Sequence, residues 1–157
     1  MKVSVLCETI QATQVIGYRF DQSHVPHEKQ IKFQLYEWEE LKKYDAPTRS
    51  QFLFEADYLI LSRWYAPGDV LKMLDAARQN SKKIFLHLDD YLFSVPPSIG
   101  INKWRHYSSD KMLKALHMAA ELSDGVIAST DFLAEQLKSN FPQIRVLTLP
   151  YWKSFDP

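Results

Sequence analysis

Apolar residues in this chain gather into short runs of two kinds. Val3–Cys7, Ile31–Tyr36, Tyr58–Leu61, Ile84–Leu88, Gly125–Ala128 and Arg145–Leu149 are compact and predict six strands. Between them, Val70, Leu71, Leu74 and Ala77 recur at helical spacing, as do Met112, Leu113, Leu116, Ala119 and Ala120. Phe132, Leu133 and Leu137 mark a further helix, with Ser129 or Thr130 as its N-cap. Pro67 falls where the first turn of the helix carrying Val70 should begin. Runs that are apolar throughout suit strands covered on both faces, and intervening helices imply right-handed crossovers between parallel strands. The pattern predicts one Rossmann-like, three-layer α/β domain over residues 1–157, with a mainly parallel sheet of about six strands. Its least regular stretches, Glu8–Lys29 and Tyr91–Asp110, each follow a strand. Both therefore belong at the carboxyl edge of the sheet, where long loops usually build a site.

Composition narrows the function classes. Basic and acidic residues balance at 19 each, which disfavours nucleic acid as a partner. Cys7 is the only cysteine, so no internal disulfide forms, and a buried, inert thiol is expected. The apolar run after Lys2 is too short for a secretion signal. No run approaches the roughly 20 residues needed to span a bilayer. A cytoplasmic location is expected, with room for a peripheral contact at the inner face of the membrane.

The run Ile84–Leu88 ends abruptly in Asp89 and Asp90. Adjacent carboxylates at the carboxyl edge repel each other and shed solvation, and that edge is where open α/β sheets bind ligands. The pair suits a general base or an acceptor of sugar hydroxyl protons; turn capping by Asp89 with a solvated Asp90 is the structural alternative. Arg63 and Trp64 end the preceding strand. Arg63 either orients a ligand or bridges strand ends, and Trp64 with Tyr65 either stacks on a sugar ring or packs under the next loop. Arg19, in Gly17-Tyr18-Arg19-Phe20, is placed to meet an anionic group or to sit solvated on a helix. Ser129 and Thr130 open a helix whose amides suit an anion, or simply cap it. Lys103-Trp104-Arg105-His106-Tyr107 mixes bases with aromatics and suits a lipid headgroup, a saccharide or plain solvent. His24 and His27 lack the partners of a metal site, and His87 reads as a core histidine or a neighbour of Asp89. No glycine-rich phosphate loop or nucleophile elbow is present.

Four segments resemble the N-terminal half of a GT-B glycosyltransferase of the retaining group. They are Ala56-Asp57-Tyr58-Leu59-Ile60-Leu61-Ser62-Arg63, Lys83-Ile84-Phe85-Leu86-His87-Leu88-Asp89-Asp90-Tyr91-Leu92-Phe93, Ser123-Asp124-Gly125-Val126-Ile127-Ala128-Ser129-Thr130-Asp131-Phe132-Leu133-Ala134, and Val146-Leu147-Thr148-Leu149-Pro150. Gly17-Tyr18-Arg19-Phe20 is similar to a Tyr-Arg element near the family's start. Tyr151 stands where the family usually has asparagine, and the glycine-rich first loop is missing. The resemblance implies a domain that binds a glycan or lipid-linked acceptor. A nucleotide-sugar donor would then bind a C-terminal domain or partner subunit outside this chain, with no metal and no cofactor held here. It implies Asp89, then Asp90, as cleft residues in catalysis, and Arg63, Trp64, Arg19 and Tyr91 around the acceptor. The rival expectation is a stand-alone interaction or sensor module, of which a receiver-like phosphorylation domain would want an acidic pair after the first strand, where only Glu8 stands.

Overall fold

The computed structural model describes residues 1–8 and 30–148. Six strands form one sheet in the order β2-β1-β3-β4-β5-β6, every neighbouring pair parallel. They are β1 (Lys2–Cys7), β2 (Lys32–Glu37), β3 (Tyr58–Ser62), β4 (Lys83–Leu88), β5 (Gly125–Ala128) and β6 (Val146–Thr148). The predicted runs match these to within two residues at each described end; Leu149 lies outside the described residues. The helices are α1 (Trp38–Leu41), α2 (Ala46–Phe54), α3 (Val70–Gln79), α4 (Ile101–Tyr107), α5 (Asp110–Leu122) and α6 (Asp131–Asn140). The fold is a three-layer, Rossmann-like α/β domain, and its strand order is the flavodoxin-like one extended by a strand.

Alternation along the strands sends side chains to two cores. Leu6, Leu59, Leu61, Leu86, Leu88 and Val126 meet Leu41, Leu53, Leu74, Leu116 and Leu133 from the helices in the larger one. On the opposite face Val3, Val5, Ile60 and Ile127 are buried in a smaller cluster. Burial on both faces explains why the central strands β3, β4 and β5 read as mostly apolar runs, whereas β2 alternates and has no buried residue.

Helix α3 begins at Val70, and Pro67 lies in the preceding turn instead of in the helix itself. The Val70 amide already donates to the Ala66 carbonyl at 3.0 Å, so the proline stiffens a lead-in turn. Helices α1 and α2 were not signalled by periodicity. Helix α2 starts on Asp45, whose carboxylate accepts from the Thr48 amide at 2.8 Å, with proline in its first turn.

Asp57 and Asp124 perform one repeated task at the amino edge. Asp57 Oδ2 accepts from the Lys2 amide at 2.9 Å, and Asp124 Oδ2 accepts from the Ile84 amide at 2.9 Å. Each thereby closes the first rung between its own strand and the next. Burial works against the ionised Asp124, yet hydrogen bonds from Lys83 and the Ile84 amide hold its pKa below the usual carboxylate value. Asp124→Ala should therefore lower stability by about 1–2 kcal/mol, since a part-buried amide loses its acceptor. Urea unfolding measures this; an unchanged midpoint would contradict the capping role.

Candidate functional site

The strand order places β1 beside β3 although β2 intervenes in sequence, and open α/β sheets bind ligands at the carboxyl edge beside such a reversal. Strands β3 and β4 deliver the candidate residues there. Ser62 lies opposite His87 across the ladder, so the residues that follow, Arg63 on one side and Leu88 to Asp90 on the other, share that edge.

Arg63 turns the chain out of β3. Its φ is 52°, in the left-handed region that residues with a Cβ rarely adopt, and its amide donates to the His87 carbonyl at 3.0 Å. A bend of this kind costs about 1–3 kcal/mol and persists only where surrounding contacts enforce it. Nη1 of Arg63 meets Asp89 Oδ2 at 3.1 Å, and Nη2 lies 3.9 Å from Asp90 Oδ2. Asp89 and Arg63 are 21% and 24% exposed, whereas Asp90 is 58% exposed, so one carboxylate is locked and the other reaches solvent. Burial opposes the charge on Arg63, but Asp89, the Tyr107 hydroxyl and Asp90 outweigh it and raise its pKa. The guanidinium thus relieves the repulsion expected between adjacent carboxylates. Among the described residues Asp89 Oδ1 is buried with no hydrogen-bond partner, leaving one acceptor of a fixed side chain unsatisfied.

Behind this cluster, Ser62 Oγ and His87 Nδ1 lie 3.1 Å apart in a buried hydrogen bond. Burial first, and then the charge of Arg63, push the His87 pKa down to about 4. His87 is therefore a neutral core histidine that also borders the site. Tyr65 is buried; desolvation raises its pKa, with Tyr107 adding to the effect and Arg63 opposing it. Tyr107 thus acts on both Arg63 and Tyr65 from helix α4. The stretch Tyr91–Asp110 is accordingly not irregular throughout: Pro97–Ile99 forms a 3₁₀ turn and Ile101–Tyr107 a helix. Spacing of Trp104 and Tyr107 by three was the sequence signal for it, since both are half-buried while the basic residues between them are exposed.

The remaining predicted residues take other parts in the fold. Trp64 is fully buried, its ring edge-on to Trp38 at 5.0 Å, so no face is left to stack on a sugar. It serves the core, and it is not the acceptor platform expected from the sequence. Tyr91 is half-buried beside Phe93, with ring centres 5.6 Å apart, and burial raises its pKa. Ser129 is buried, its amide donating to the Leu88 carbonyl at 3.1 Å and its hydroxyl to the Asp89 carbonyl at 3.4 Å. Thr130 caps α6 by accepting from the Leu133 amide at 3.1 Å. Both thus hold α6 and the Asp89 loop in place. Arg19, His24, His27 and Tyr151 lie outside the described residues. Cys7 is buried, and its thiol donates to the Tyr36 carbonyl at 3.4 Å.

A separate cleft of about 330 Å³ lies between helices α1, α2 and α3, lined by Trp38, Lys42, Arg49, Leu53, Asp69 and Met73 among others. It includes none of the residues that sequence pattern singled out. Among the described residues no helix is long and apolar enough to cross a membrane.

No protein-family model matches the chain, and no curated protein is similar to it. Among solved structures, a de novo designed Rossmann 2x3 fold protein aligns over 95% of this chain and 78% of its own, with 8% identity and a TM-score of 0.38. At that similarity it adds nothing to the strand order, which by itself makes the domain a Rossmann-like α/β fold.

Proposed function

We propose that this chain is the acceptor-binding domain of a GT-B type glycosyltransferase. It would present a glycan or lipid-linked acceptor to a nucleotide-sugar donor held by a second domain or a partner subunit. The observation that carries this reading is the Arg63–Asp89–Asp90 cluster at the carboxyl edge, beside the reversal in strand order. Saccharide hydroxyls are donors in search of fixed acceptors, and a carboxylate held by a guanidinium is aimed. Asp89 then orients the acceptor hydroxyl at the cleft, Asp90 supplies a second, more exposed carboxylate, and Tyr91 flanks them. Arg19 joins the acceptor side by resemblance alone. The segment likeness supports the reading less than its length suggests, because Asp57 and Asp124 in it work as strand caps.

Strand order favours a second reading. The flavodoxin-like arrangement is shared by sensor modules, and a satisfied Arg63–Asp89 bridge is also what a structural tie between strand ends looks like. A dimer burying this edge would favour that module.

The separating experiment supplies the intact native protein with a panel of nucleotide sugars and measures release of nucleoside diphosphate. Release that rises when oligosaccharide is added supports the transferase. Its absence across the panel, with a folded protein, would oppose it.

A further inference from the structure

From the segment between the two carboxylates Asp90 and Asp110, we propose that helix α4 and the 3₁₀ turn before it form a contact with the surface of an anionic lipid bilayer. The segment holds no acidic side chain across 91–109, while Lys103, Arg105 and His106 lie in it and Lys111 and Lys114 follow closely. Ile99 and Ile101 are exposed to 47% and 50%, two large aliphatic side chains in water within three residues of each other. Gly100 separates them at φ 119°, a conformation that residues with a Cβ rarely adopt, and it is the junction between the turn and the helix. Helix α4 then carries Trp104 and Tyr107 half-buried against the domain, with Lys103, Arg105 and His106 exposed.

The combination selects a membrane over other partners. Protein interfaces are depleted in lysine at their centres and close over their apolar residues, whereas a bilayer takes aliphatic tips below a ring of bases. A duplex would ask for a basic excess over the whole chain, and here the formal net charge is zero. Bases next to an anionic bilayer each add attraction that salt screens, and each exposed isoleucine adds burial that salt does not weaken. The contact stands apart from the acceptor reading, since a sensor module with the same patch would bind the same surface.

Co-sedimentation of the full chain with vesicles tests it. Phosphatidylcholine vesicles containing phosphatidylglycerol should bind the protein, and pure phosphatidylcholine vesicles should bind it far less. Ile99→Asp combined with Ile101→Asp should reduce the partition coefficient at least about tenfold, as should Lys103→Glu combined with Arg105→Glu. Leu122→Asp, which alters an exposed leucine at the end of helix α5, should leave it unchanged. Far-ultraviolet circular dichroism shows that each variant is folded. Equal binding by either double variant would overturn the proposal, as would the absence of binding to the anionic vesicles. Displacement by soluble glycerol phosphate would also overturn it, since the ligand would then be a free phosphate and not the bilayer.

Discussion

On the proposed transferase reading, Asp89→Asn in the intact protein is expected to lower turnover at least about a hundredfold, the usual loss when a positioned acid–base or orienting group is removed. The substitution keeps shape and one acceptor oxygen toward Arg63, which stands 3.1 Å away, but it removes the charge. Asp90 remains as a second partner for the guanidinium at 3.9 Å, so the stability cost should stay near 1 kcal/mol. Arg63→Met is the harsher companion. It strands a carboxylate that is only 21% exposed and should cost roughly 2–3 kcal/mol together with activity. Steady-state kinetics beside urea unfolding separates these two behaviours. Full turnover by Asp89→Asn would remove Asp89 from the site.

Acidification should weaken the domain through one imidazole. His87 has a folded pKa near 4 against 6.5 for the free side chain, so the unfolded chain takes up a proton before the folded one does. Its contribution to stability is therefore complete above about pH 6.5 and is lost progressively as pH falls to about 4. A depression of this size corresponds to about 3 kcal/mol. His87→Gln should flatten the pH dependence of urea unfolding across that window, whatever it does to stability at neutral pH. Nuclear magnetic resonance gives the direct check: the His87 ring should stay neutral until about pH 4, and titration near 6.5 would contradict its burial against Ser62 and Arg63. Neutrality of His87 also has a consequence at the site, because among the described residues the two carboxylates then pair with Arg63 alone.

Strand positions could be read from the chain because burial on both faces leaves runs such as Ile84–Leu88 apolar, His87 apart, until Asp89. Strand order could not, since nothing local in β2 states that β3 returns to pair with β1. Helix α1 spans four residues, too few for a period, and the buried residues of α2 are confined to Leu53 and Phe54 at its end. The Asp45 cap and the following proline were the available signal there. For the site, Asp89 with Arg63 was readable as a pair of strand ends, but the outcome at Trp64 was not. The left-handed bend at Arg63 precedes it, and backbone sign at a non-glycine residue leaves no mark in composition. Tyr107 was hidden in the same way, among bases that read as a solvated loop.

The most direct measurement is a titration of the isotope-labelled chain with acceptor-like oligosaccharides, following backbone amide shifts. Saturable shifts are expected at Arg63, His87, Asp89, Asp90 and Tyr91, and they should vanish in the Asp89→Asn variant. Shifts confined to the cleft lined by Trp38, Arg49 and Met73, or none at any concentration reached, would contradict an acceptor site at the carboxyl edge.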